Sequence, residues 1–354
     1  IVAGMVIGIV TGLGRLGIPV PEVASERVML HGPILIAGVF ATLIALERAV
    51  ATRTLLGRTW TFADAAPVLT AAGLVVLLVN GPTLPAVALL TAGAAGLVAV
   101  NLFFLRRSPT LDVLTMVLGA GFLLLADAAW LADRPVPFLT PWWAAFLVLT
   151  VVGERLELAR LRAHGRLAHA AFGLAVAAYI AALLLMLVDE GLGMRLSGVG
   201  LVALTLWLLR FDIALVTVRR TGLPRFVAVC LLSGYAWLSI AGAVVLLSEP
   251  AFAGFSYDAY LHAILLGFVF AMVFGHAPII FPAIVERPIG FHPFAYLPLA
   301  LLHFSVALRI LADLAGNQMI RQAAGVWTGV AVVLYAAFIV YGLLRGDTRP
   351  WRSA

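Results

Sequence analysis

Four of the seven histidines in this 354-residue chain lie within apolar stretches, where an ionisable side chain points to function by default. His31, in RVMLHGPILIAG, falls one turn inside the second apolar stretch, at roughly 6 Å depth for a rise of 1.5 Å per residue. His262, in YDAYLHAILLGFVFAMVFGHAP, falls one turn inside the tenth, at the same depth and in the same leaflet. Two imidazoles at one level are what a bis-histidine heme needs, because the axial nitrogens must reach the iron from opposite faces. The alternative for each is an interfacial histidine bonded to a backbone carbonyl. His276 and His303, on the tenth and eleventh stretches, are each about ten residues from the opposite side, roughly 15 Å deep. They fit a second heme, a copper ion, a proton-relay pair, or two packing histidines. His164 and His292 fall in loops and His169 at a helix end, where solvated roles are expected.

Neighbouring residues suit a flat ring packed between helices. Gly38 follows His31 by seven residues, almost on the same face, and leaves room below the ligand. Gly267, Ala271 and Gly275 form a small-xxx-small line that lets another helix come close. Arg309, in HFSVALRILADL, lies at the same end as His31 and His262, where a guanidinium pairs with heme propionates. Glu47 with Arg48, and Glu154 with Arg155 and Glu157, read as ion pairs at the inner interface. Arg210 and Asp212 point to different faces and each call for a partner on another helix, whereas Asp127 suits either structural pairing or a proton pathway.

The elements that must carry these residues are membrane spans. Apolar residues make up 63% of the chain and charged residues 11%, with mean hydropathy +1.10, so the bilayer is the solvent. A span needs roughly 20 apolar residues, which divides the chain into about twelve with no second folded domain. Gly, Pro and charge place them at 1–18, 27–47, 63–80, 84–105, 110–131, 138–159, 167–188, 195–217, 225–247, 258–283, 294–313 and 322–344. The apolar beginning reads as a trimmed first span and not as a signal peptide. The fold expected is an all-α integral membrane protein, one bundle over residues 1–354.

Every basic side chain is arginine, and the net charge is +6. The arginines spread over many short loops, which argues for a topology signal and against nucleic acid as a partner. Arg48, Arg53, Arg58, Arg106, Arg107, Arg155, Arg160, Arg162, Arg166, Arg219, Arg220, Arg225, Arg287, Arg345, Arg349 and Arg352 share one side, which makes it cytoplasmic, with both termini there. The opposite loops hold Arg15, Arg27, Arg134, Arg195 and Arg321 beside Glu22, Asp133, Asp189, Glu190, Glu249 and Asp258. Cys230 is the only cysteine, which excludes an internal disulfide. The chain also has no phosphate loop, HExxH helix or GxSxG elbow, so nucleotide-driven transport is not expected.

The stretch HAILLGFVFAMVFGHAPIIFPAI followed by PLALLHFSVALRILADL resembles the carboxy-terminal part of the NnrS family, heme- and copper-containing membrane proteins associated with nitrogen-oxide metabolism. LHGPILIAGVFATLIALERAV is similar to that family's early histidine-bearing helix. More distantly, the chain resembles the catalytic subunit of heme-copper oxidases, in which helices two and ten carry the low-spin heme ligands; His31 and His262 match those positions. The sixth span, WWAAFLVLTVVGERLEL, has no histidine and the seventh no His-His pair, so the oxidase copper centre and oxygen reduction do not carry over. The HxH element associated with NnrS proteins is missing at His31.

The expectation is therefore a heme-b-binding protein of the bacterial inner membrane, a redox protein without the oxidase copper centre. His31 and His262 are its axial ligands, Arg309 and Gly38 its further cofactor contacts, and His276 with His303 a second heme or copper site. It transfers electrons or serves nitrogen-oxide-linked respiration beside a redox partner protein. The competing classes are a proton-coupled small-solute transporter and a structural subunit of a membrane complex.

Overall fold

Hydrocarbon offers backbone N–H and C=O groups no partners, so an apolar chain bonds them within helices. The computed structural model describes residues 1–159, 165–249, 251–285 and 291–345. Arg160, Arg162, His164, Arg287, Arg349 and Arg352 lie outside the described residues. Among the described residues there is no strand, and eleven helices are long and apolar enough to cross a membrane. A shorter one, α1 (Val2–Arg15), precedes them. They are α2 (Val28–Leu56), α3 (Phe62–Asn80), α4 (Leu84–Arg107), α5 (Leu111–Leu131), α6 (Val136–Ala159), α7 (Arg166–Leu185), α8 (Glu190–Phe211), α9 (Gly222–Leu247), α10 (Gly254–Pro282), α11 (Pro293–Leu314) and α12 (Gln318–Leu344).

Three boundaries differ from the sequence reading for identifiable reasons. The first stretch yields 14 helical residues and ends at Arg15, three residues before 18, where the Leu16 and Gly17 N–H groups turn back to the Leu13 and Gly14 carbonyls. Helix α2 continues nine residues past the expected end at 47, because its arginines find partners along the helix. Arg48 meets Glu154 of α6 at 3.4 Å and the Met116 sulfur of α5 at 2.7 Å, and Arg53 pairs with Asp64. Gly57, at φ +62°, then ends the helix in the left-handed region that suits glycine. Helix α8 stops at Phe211 because Asp212 accepts the Ala214 N–H at 2.6 Å and the Tyr235 hydroxyl of α9 at 3.0 Å. Asp212 thus has its expected partner on another helix, whereas Arg210 is exposed and stacks over its neighbour Phe211.

The chain groups into two compact units, Ile1–Glu157 and Leu158–Ala354, where the sequence reads as one bundle. In the first, Gly4, Gly8 and Gly12 of α1 form a stripe that meets Val39, Leu35 and His31 of α2. Gly119 of α5 and Gly153 of α6 similarly admit each other's helix. In the second, Gly198 of α8 and Gly242 of α9 face each other. Gly267 and Gly275 of α10 seat Trp237 and Cys230 of α9, the close approach their spacing predicts.

A Cβ added at Gly198 would lie 2.6 Å from the Gly242 carbonyl oxygen, and neither backbone can yield. Gly198→Val should therefore cost about 2 kcal/mol of stability by overpacking. Gly121→Val, with nothing within 4 Å, should be close to neutral. Thermal denaturation of the two variants in the same detergent measures the difference.

Candidate functional site

Helix geometry changes beside both expected heme ligands. His31 is followed by a π-helical segment over Ile34–Phe40 inside α2, and His262 by another over Ala263–Phe270 inside α10. Such wide turns are rare and gather at functional sites, where they re-aim side chains. All seven residues of the first segment are buried.

Each histidine has a backbone anchor. His31 Nδ1 lies 2.6 Å from the Gly8 carbonyl oxygen of α1, and His262 Nδ1 lies 2.8 Å from the Asp258 carbonyl. A carbonyl only accepts, so Nδ1 carries the hydrogen in both rings, and in a neutral ring Nε2 then carries the lone pair. The glycine stripe makes this possible for His31: a Cβ on Gly12 would lie 2.7 Å from the ring. His276 is anchored in the same way to the Met272 carbonyl of its own helix, at 2.7 Å. His303 is reversed. The indole N–H of Trp237 donates to its Nδ1 at 2.9 Å, so the hydrogen of a neutral ring sits on Nε2, which is buried with no partner among the described residues.

Around His262 the second unit assembles a charge cluster from the ends of three helices. Arg309 of α11 donates Nε and Nη2 to one carboxylate oxygen of Asp258 in α10, at 3.0 and 2.7 Å. Arg321 of α12 reaches the same oxygen at 3.1 Å, pairs with Asp313 of α11, and lies over the Phe255 ring at 4.8 Å. The Asp258 carboxylate also stands 3.4 Å from His262 Nδ1. Two arginines and two aspartates balance, which is what permits such burial: the Asp313 side chain is 0% exposed and that of Arg309 7%.

Arg309 stands beside His262 through Asp258, so the carboxylate neutralising it is the protein's own. The room expected beside Gly38 is not open: a Cβ there would lie 2.6 Å from Leu74 of α3, so this glycine serves helix packing. His169 and His292 lie near helix ends, the first half-buried with Nδ1 3.3 Å from the Gly165 carbonyl, the second exposed and accepting the Phe294 N–H. Sequence reasoning missed Asp313 altogether and read Asp258 and Arg321 only as loop charges. The usable signal was spacing, since Asp258 and His262, and Arg309 and Asp313, are each four residues apart on one helix. Among the described residues, no group of three or more His, Cys, Asp or Glu side chains could hold a metal ion.

Among the described residues, eleven helices long and apolar enough to cross a membrane, with no strand, define the class: an all-helical, multi-pass membrane protein. The chain belongs to a family described as a domain of unknown function (DUF8744), whose model matches residues 1–343. No curated protein and no solved structure matches it.

Asp258→Ala leaves two guanidinium groups facing the single carboxylate of Asp313. The expected loss is ~3 kcal/mol, as when one partner is removed from a buried ion pair. Asp189→Ala, which removes an exposed helix cap, should cost about 1 kcal/mol. Thermal unfolding in lipid nanodiscs compares the two.

Proposed function

We propose that this is a heme-b-binding integral membrane protein that transfers electrons, with His31 and His262 as iron ligands. The observation that carries the reading is shared by the two side chains. Each donates Nδ1–H to a backbone carbonyl, which fixes the tautomer and turns the lone pair to Nε2, the arrangement ligating histidines adopt. The Asp258 carboxylate behind His262 adds the oriented second shell of a ligand. Arg309, named from the sequence as a propionate partner, stands beside it with its guanidinium on Asp258. Bound heme would supply one-electron chemistry, and apolar burial with two imidazoles favours electron transfer over ligand activation.

The second site drawn from His276 and His303 does not enter this proposal, because the Nδ1 lone pair of His303 is spent on Trp237. The likeness to NnrS proteins supports a link to nitrogen-oxide respiration and a redox partner protein. The arginine distribution supports the bacterial inner membrane with both termini cytoplasmic and α1 as a twelfth span.

Purified protein should show a Soret band and sharp α bands on reduction. His31→Ala and His262→Ala should each lose most of the heme, Gly12→Val should lower it by displacing the His31 ring, and His169→Ala should keep it. Full heme retention in both alanine variants refutes the assignment. A colourless, iron-free wild type would favour the proton-coupled transporter.

A further inference from the structure

Asp127 of α5 is 1% exposed inside a membrane-spanning helix. Its Oδ1 accepts the indole N–H of Trp143 at 2.8 Å, from a side chain of α6 that is itself fully buried. Trp130, one turn further along α5, packs edge-on against Trp143 at 5.5 Å, which holds the indole that bonds the carboxyl. Its other oxygen, Oδ2, is buried with no partner among the described residues. Among the described residues no arginine or histidine pairs with it, and Trp143 is its one polar contact.

That arrangement decides between three occupants. A bare carboxylate with one neutral donor in hydrocarbon would cost several kcal/mol, which the paired aspartates of this chain avoid. A metal cation fits poorly: hard cations take six or more oxygens, and here one carboxyl faces an indole N–H. A proton on Oδ2 removes the charge and leaves Oδ1 as the carbonyl oxygen that Trp143 already bonds.

We propose that Asp127 is a proton-binding site inside the membrane, holding an exchangeable proton on Oδ2 while Trp143 bonds Oδ1. The site lies within α5 and α6 of the first unit and does not depend on the histidines binding heme.

Infrared spectra of the full-length protein in lipid vesicles test it. The wild type should show the carbonyl stretch of a protonated carboxylic acid, shifted down in D2O. The band should vanish in Asp127→Asn and move up in Trp143→Phe, where the carbonyl loses its hydrogen bond. A wild type without the band, a band unchanged in Asp127→Asn, or a band that ignores D2O would each overturn the proposal. Should Asp127→Asn fail to fold, dicyclohexylcarbodiimide, which attacks protonated carboxyls in apolar surroundings, locates the proton in the wild type. Mass spectrometry should find the adduct on the Asp127 peptide, and its absence there counts against the site.

Discussion

Hydrocarbon supplies no hydrogen bonds, so each polar atom of this chain must be satisfied by the protein or stay exposed as a cost. The backbone meets the requirement by forming helices almost throughout. The helices then approach through glycines, because between lipid-soluble surfaces close packing replaces the hydrophobic drive of water. Side chains face the same demand at shorter range. Arg309 and Arg321 share Asp258 and Asp313, and Asp212 takes a backbone N–H and a tyrosine hydroxyl where α8 ends. The polar chemistry thus gathers at a few anchored points and is not spread along the spans.

The same demand sorts the histidines. A backbone carbonyl accepts from Nδ1 in His31, His262 and His276, so those rings keep the lone pair on Nε2, the outer nitrogen best placed to meet iron. His303 receives a hydrogen bond at Nδ1 instead, which makes its outer nitrogen a donor. Four histidines that look alike as letters in apolar runs are therefore two chemical kinds, and the neighbour that decides the kind lies on another helix for His31 and His303.

This also marks how far the sequence could be read. Spans such as 63–80 and 110–131 were legible to within a residue because they depend on composition alone, and Pro, Gly or charge brackets them. The end of α2 was not, since Arg48 and Arg53 look like loop residues until Glu154 and Asp64 are seen to neutralise them. Gly38 was misread for a related reason: a missing side chain shows where space exists, and only the fold shows that Leu74 fills it. The π-helical segments leave no mark in composition, because a shift from one carbonyl acceptor to the next changes hydrogen bonding without changing which residues are apolar. The partners of Arg309 were hidden, because Asp258 and Asp313 stand at helix ends.

The polar atoms left over after this pairing carry the most information about function. A membrane protein assembled purely for packing gains nothing by burying a carboxyl oxygen or an imidazole N–H without a partner, because replacing either with an apolar group of the same shape removes the cost. Asp127 Oδ2 and His303 Nε2 are such atoms, one in each unit, and each side chain is held from its other heteroatom by a tryptophan N–H. The indole fixes the orientation of the group and leaves its remaining valence turned inward. Asp127 differs from the buried hydroxyls of Thr83, Tyr179 and Tyr260, which also lack partners among the described residues, in that the proton proposed for it removes its charge and with it most of the cost.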